Sequence, residues 1–338
     1  MKQIIIIVSI LFIIGCKEEC NSFFSDNVNI ASYGDVNRYN LSGKIIIDDH
    51  IGLSDIEIIG DYLLFSTSLI ENKFYLYSNN GHKLLEFGQH GEGPNDFINT
   101  RITGEKGIDY FGNAFIWIND VSMAKLKKIV VSKTYDSINC HIEKCVQTLP
   151  MSPNSFYVND SLVLSEVLEN GVMSLRKYNP VTNRITEEIK LYNKKVKHPF
   201  SFYKGISRFD KKRNILTIGM HSVNQINILD LNKNDRRSCL IGKQTLEQDA
   251  VDSNTGIENM TYYSDLRMGE QKGYALYLNQ NYDDAYEIPS PVEIHVINNN
   301  IIEKIYSVKE YIQHIAVDET NNCIYGLSGD SAVYKYEL

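Results

Sequence analysis

The chain has 338 residues, a formal net charge of −8, 22 tyrosines and 7 prolines. The acidic balance excludes a phosphate-backbone partner, which needs Lys and Arg gathered on one face, so nucleic acid is not expected. Abundant Tyr, Ile and Val with little Pro favours strands over helices, and the length suits one large β domain or two ordinary ones.

The N-terminus reads MKQIIIIVSILFIIGC: Lys2, an apolar core from Ile4 to Ile14, then Gly15-Cys16. That core is shorter than the roughly 20 residues a spanning helix needs, so residues 1–15 are expected to be a secretion signal. The order of apolar run, small residue and cysteine resembles the lipobox of bacterial lipoproteins, in which the cysteine is acylated and becomes the first residue. The resemblance implies an anchor at Cys16 and a lipid bilayer as partner, each buried CH₂ contributing about 0.8 kcal/mol. The alternative is an ordinary cysteine behind an ordinary signal. Lys17-Glu18-Glu19 resembles the export signal that some Gram-negative lipoproteins carry to the outer face of the outer membrane, with a solvated tether as the alternative. An outer-membrane, cell-surface location follows from that resemblance. Polar residues dominate from Cys20 to Asn40, so residues 16–40 are expected to form a flexible tether.

Residues 41–338 read as one domain. Asn40–Asp48 is a strand candidate without partners of its own. Next comes the clearest unit, Ile56–Ile59, Tyr62–Ser66, Phe74–Tyr77 and Leu84–Phe87, separated by Gly60-Asp61, Glu71-Asn72 and Asn79-Asn80-Gly81. Each run is too short for a helix, and Asn80-Gly81 is a strong hairpin signal because both residues tolerate positive φ. One such sheet cannot bury both faces alone, so its recurrence predicts a ring of blades.

A second unit runs through Ile102-Thr103, Gly107–Phe111, Ala114–Asn119 and Lys125–Val131, followed by a polar excursion over Tyr135–Leu149. Trp117 is expected to pack between blades, and Lys125–Ile129 to be a strand rather than a basic helix. Ser155–Val158, Leu162–Glu166, Val172–Tyr178 and Ile185–Tyr192 make a third unit. A fourth is Phe202–Phe209, Ile215–Gly219, Gln225–Leu229 and Arg237–Ile241. The fifth is Met260–Asp265, Gly273–Leu278, Val292–Ile297 and Ile301–Ser307, interrupted by a loop over Asn279–Pro291. The sixth, Ile312–Asp318, Cys323–Leu327 and Ala332–Tyr336, lacks a strand that Lys44–Asp48 would supply. The fold class expected is therefore all-β: a six-bladed β-propeller closed by an N-terminal strand joining the last blade.

Two regions carry a family resemblance. Phe87-Gly-Gln-His-Gly-Glu-Gly-Pro-Asn-Asp-Phe97 is similar to the Gly-x-x-Gly-x-Gly-Pro-Gly-Glu-Phe stretch of the TolB-like (NHL-like), six-bladed β-propeller lipoproteins of Gram-negative, Bacteroides-type bacteria. Tyr263-Ser-Asp265, Tyr274-Ala-Leu-Tyr277, Ile315-Ala-Val-Asp318, Ile324-Tyr325 and Tyr334-Lys-Tyr336 resemble that family's closing pattern. Asn95 and Asp96 depart from it where Gly and Glu are usual. The resemblance implies a propeller on a lipid anchor and little chemistry.

Gly88, Gly91 and Gly93 do not make a phosphate loop, because Pro94–Phe97 leads into a strand rather than a helix N-terminus. They suit a tight crossover between blades, from which His90, Glu92, Asp96 and Arg101 are candidates to contact a ligand in the channel or at the loop, with solvated loop side chains as the alternative for His90, Glu92 and Asp96. Besides Cys16 there are five cysteines, Cys20, Cys140, Cys145, Cys239 and Cys323. A disulfide between Cys140 and Cys145 across a short hairpin is one reading; Cys239 and Cys323 read as buried thiols. Cys140-His141-Cys145 offers only three ligands where structural zinc takes four, and Asp252–Gly256 lacks the closing acid of a Ca²⁺ loop. No cofactor or metal is expected. The function expected is a monomeric, non-catalytic binding or scaffolding propeller for a protein, peptide or glycan. The alternative is a metal-dependent (Ca-type) hydrolase of lactones or esters using inward acids such as Glu166 and Asp265.

Overall fold

The computed structural model describes residues 22–69, 71–135, 137–149, 152–193, 196, 198–242, 260–281 and 291–338. Cys16, Lys17, Glu18, Glu19 and Cys20, the turn at Asp252–Gly256 and most of the loop after Asn279 lie outside the described residues.

Three strands come first: β1 (Val28–Ala31), β2 (Asn37–Leu41) and β3 (Lys44–Ile47). Blade 1 is β4 (Leu53–Ile59), β5 (Tyr62–Thr67), β6 (Asn72–Ser78) and β7 (Lys83–Gln89); blade 2 is β8 (Thr100–Ile108), β9 (Ala114–Asp120), β10 (Lys125–Lys133) and β11 (Ile138–Gln147). Blade 3 is β12 (Ser155–Asn159), β13 (Leu162–Glu169), β14 (Val172–Asn179) and β15 (Arg184–Lys190). After a single helical turn, α1 (Pro199–Phe202), blade 4 is β16 (Gly205–Asp210), β17 (Ile215–Met220), β18 (Ile226–Asp230) and β19 (Asp235–Ile241). Blade 5 is β20 (Met260–Met268), β21 (Gly273–Asn281), β22 (Val292–Asn298) and β23 (Ile301–Val308), and blade 6 is β24 (Ile312–Asp318), β25 (Cys323–Ser328) and β26 (Val333–Glu337). The molecule is a six-bladed β-propeller.

The sequence periodicity follows from this packing. Middle strands such as β5 are buried on both faces and read as unbroken apolar runs, whereas outer strands such as β15 are exposed and polar. Six apolar clusters fill the six gaps between neighbouring blades. Between blades 2 and 3, Trp117 stacks on Tyr157 with centroids 3.9 Å apart, the packing role its apolar setting suggested. Lys125–Ile129 lies in β10, and Cys239 and Cys323 are buried free thiols.

Several readings need correction. Residues 22–41 are not a tether. Phe23 and Phe24 are buried between blades 3 and 4, β1 adds to blade 4 by parallel pairing with β19, and β2 adds to blade 5 by parallel pairing with β23. The strap pairs at the outer rim, where most residues of β1 and β2 are exposed, so it prints no buried apolar run in the sequence. The chain then enters blade 6, where β3 lies antiparallel to β26. Gly81 lies against this strand: its φ is +86°, and a Cβ there would collide with the Ile46 carbonyl oxygen. The excursion at Tyr135–Leu149 is largely β11, the fourth strand of blade 2. Cys140 and Cys145 therefore lie five residues apart on one strand, not across a hairpin. At about 3.3 Å per residue they are far beyond the roughly 7 Å a disulfide tolerates, and both are free. Ile102-Thr103 and Gly107-Ile108 belong to the single strand β8, while Asp109–Asn113 is a turn closed by the Asp109 carboxylate, which accepts hydrogen bonds from the Phe111 and Asn113 amides.

Phe24 meets Tyr192 edge-on at 5.7 Å, and the Arg236 guanidinium stands 5.7 Å from its ring. Phe24→Ala is expected to cost about 3–5 kcal/mol in chemical denaturation, the loss typical of a buried phenyl ring. A loss under about 1 kcal/mol would mean that the strap decorates the ring without holding it.

Candidate functional site

The first strand of each blade is the innermost, and consecutive residues of a strand point to opposite faces. Asp55-x-Glu57 on β4 and Asp265-x-Arg267 on β20 therefore each place two charges on one face of an inner strand. Arg208 on β16, Lys106 on β8 and His314 on β24 complete a group of charges around the axis.

Arg267 is its hub. Buried to 2 % exposure, it donates from Nη2 to the Ile56 carbonyl at 3.0 Å and from Nε to the Ile315 carbonyl at 2.6 Å. The same guanidinium pairs with Asp55, with Asp265 at 3.0 Å and with Glu57 at 3.6 Å. Lys106 Nζ reaches the other Glu57 oxygen at 2.6 Å, and Arg208 stands 3.5 Å from Asp265. Asp265 also accepts the amides of Leu266 at 2.8 Å and Ile315 at 2.9 Å. Blade 5 thus holds both the N–H and the C=O of Ile315 on blade 6, and through Ile56 it reaches blade 1.

His314 Nδ1 lies 3.7 Å from Asp55 and 3.7 Å from Asp265. Burial pushes the Asp265 carboxyl up, against the pull of His314. For His314 burial acts downward, but the carboxylates of Asp265 and Asp55 outweigh it and hold the imidazole above its ordinary value. Glu105 is pushed up to about 7 by burial, opposed by Lys211 at 3.3 Å.

Next to this network lies a cavity of about 100 Å³ to which every blade contributes. Its wall includes Asp55, Arg101, Asn154, Arg208, Asp265 and His314. A bulge in β8 between Ile102 and Lys106 carries Gly104, whose φ of +82° and bare Cα leave room for Arg208. A Cβ on Gly104 would lie 2.8 Å from Arg208 Cδ.

Of the loop candidates, only Arg101 lines this cavity. His90 and Glu92 are exposed on the crossover between blades 1 and 2. Asp96 closes that crossover on itself, its carboxylate accepting the Gly93 amide at 3.0 Å, while its carbonyl accepts from the buried Lys127. The next residue, Phe97, fills the gap between blades against Phe74 at 5.0 Å. Of the two acids named for metal chemistry, Asp265 stands in the channel on β20. Glu166 instead sits on the second strand of blade 3, buried, with its pKa raised by burial and Asn154 Nδ2 donating to it at 2.7 Å. Asp55, Glu57, Arg208, Arg267 and His314 escaped the sequence reading. For the pairs a signal was available: charges two residues apart in a strand run, Asp55-x-Glu57 and Asp265-x-Arg267.

The fold recurs in two Bacteroides proteins. One, from Bacteroides fragilis and named for inferred export, superposes with a TM-score of 0.55 at 11% identity, covering 92% of this chain and 99% of its own. The other, a member of the DUF4221 family from Bacteroides vulgatus, gives a TM-score of 0.55 at 13% identity, covering 88% and 96%. At such identity the likeness is one of fold. No protein-family model matches the sequence, and no curated protein matches it.

Removing Arg267 would leave Asp55, Glu57 and Asp265 without their common cation. Arg267→Leu is expected to cost about 3–5 kcal/mol, as for a broken buried ion pair. Arg267→Leu combined with Asp265→Asn should recover part of that loss, since one uncompensated charge is gone. Additive losses in denaturant unfolding would show that the groups do not act as one network.

Proposed function

We propose that this chain is an exported, lipid-anchored propeller of the TolB-like lipoprotein kind that binds a ligand in its central channel without transforming it. The observation that carries the reading is the polar cavity on the axis, walled by all six blades and backed by carboxylates that protein cations already hold. Such groups are fixed in place and suited to recognition by hydrogen bonding and charge. Export and anchoring are supported by the apolar leader ending in Gly15-Cys16 and by the fold shared with a Bacteroides protein named for export. Lys17-Glu18-Glu19 then serves as the address for the cell surface.

Anchoring has a geometric consequence. Six residue steps separate Cys16 from Ser22, roughly 20 Å when fully extended. With acyl chains at Cys16, the seam between blades 3 and 4 stays within about that distance of the bilayer.

A metal-dependent hydrolase is the second reading, and one observation favours it. Ligand atoms of Asp55, Asp265 and His314 lie within 4.8 Å of one another. The donor set does not fit a cation, because Arg267 already pairs with both carboxylates and places a fixed positive charge beside them. Titration of purified protein with Ca²⁺ is expected to leave the melting temperature unchanged; a saturable rise, together with ester hydrolysis, would transfer the assignment to the enzyme.

Cys16→Ala is expected to move the protein from the membrane pellet to the soluble periplasmic fraction. Protease treatment of intact cells should digest the native form while a periplasmic control survives. Retention of the alanine variant in the pellet counts against the anchor, and protection of the native form places the propeller on the periplasmic side.

A further inference from the structure

The charges around the axis do not cancel. Five cations, Arg101, Lys106, Arg208, Lys211 and Arg267, face four carboxylates, Asp55, Glu57, Glu105 and Asp265. Each of those carboxylates has a protein cation within 3.3 Å. Arg101 lines the cavity and has no ion-pair partner among the described residues. Glu166 stands behind the wall, bonded to Asn154, and burial favours its neutral form. Protonation of His314 adds a further positive charge.

Arg208 is held ready. Its Nη1 donates to the Ser207 carbonyl at 3.0 Å, Nη2 stands 3.5 Å from Asp265, and its side chain is 9% exposed. The buried Nε has no acceptor among the described residues, so the hydrogen-bonding capacity of this guanidinium is incomplete there. The bare Cα of Gly104 leaves the space in which this side chain lies.

We propose that the central cavity is a binding site for a small carboxylate anion, gripped by Arg101 and Arg208. Guanidinium groups match the planar, two-oxygen geometry of a carboxylate, and paired charges in a partly enclosed site are worth more than in water. The cavity of about 100 Å³ holds several waters but falls below the size that encloses a drug-sized molecule. The ligand is therefore a short-chain acid of a few heavy atoms, with Thr103, Asn154 and Ser264 available to its distal polar end. The proposal rests on the reading of the channel as a binding site and adds the ligand class.

The test is calorimetry on the mature chain bearing Cys16→Ala, titrated with acetate, lactate and succinate, with succinamide as the neutral isostere and putrescine as the cation. Saturable 1:1 binding of at least one acid is expected, with none of succinamide. Arg101→Gln should weaken it about tenfold at unchanged melting temperature, since this exposed side chain has no ion pair to lose. Arg208→Gln should weaken it further. Absence of saturable heat with every acid up to about 10 mM overturns the proposal, as does binding that both arginine variants leave intact. Binding of succinamide or putrescine in place of the acids overturns the anion class while leaving the channel a binding site.

Discussion

The middle strands of each blade are apolar on both faces, so every blade needs a neighbour on each side. A row of blades would leave two such faces in water; a ring leaves none. The six apolar clusters, one in each gap, are the energetic content of that closure. The same geometry gathers the inner strands around an axis. Charged side chains reach across it to one another beside a cavity, and Arg267 is the residue through which blades 5, 6 and 1 are joined.

Closure is spread over more of the chain than a single exchanged strand. β3 meets β26 through a short register, Ile45 opposite Tyr334 and Ile47 opposite Val333. The residues before it add β2 to blade 5 and β1 to blade 4, and Phe23 and Phe24 plug the seam with blade 3. Both additions are parallel, because the strap climbs each outer strand in the same direction before passing to the next blade. Arg38 pairing with Glu293, and Tyr39 beside Tyr306 at 6.0 Å, hold its middle. One N-terminal segment thereby ties four of the six blades in succession.

The blades were legible because buried strands print themselves as short apolar runs, and turns as Asn, Asp and Gly: Asn80-Gly81 and Asn170-Gly171 fall between strands, and Pro180 follows directly on Asn179, the last residue of β14. What stayed hidden had no such print. β1 is only four residues long with two of them exposed, and β2 is polar with four of five exposed, so neither prints an apolar run distinct from a tether. β11 alternates between partly buried and exposed residues, with Val146 its one buried position, so it reads as a polar excursion rather than an apolar run. In the site, the acidity of Asp265 singles it out, and the two-residue repeat of a strand places Arg267 on the same face. Arg208 and His314 could not be joined to them from spacing at all. Their proximity depends on which strand of each blade lies innermost, and that is fixed by the ring, not by any local stretch.

The channel charges also bear on what the axis is for. If they served stability alone, well-packed apolar side chains would do as well, because buried ion pairs seldom repay their desolvation. Here the network leaves a cavity rather than filling one, and Arg101 contributes a cation that no carboxylate of the described residues neutralises. Gly104 concedes backbone freedom in an inner strand so that Arg208 can lie where it does. These features cost stability without improving packing, and in folded proteins such costs concentrate where the surface meets something other than itself. A solvent-accessible, net-positive recess at the meeting point of six rigid sheets suits a small anion, whose binding would complete the charge balance that the protein leaves open.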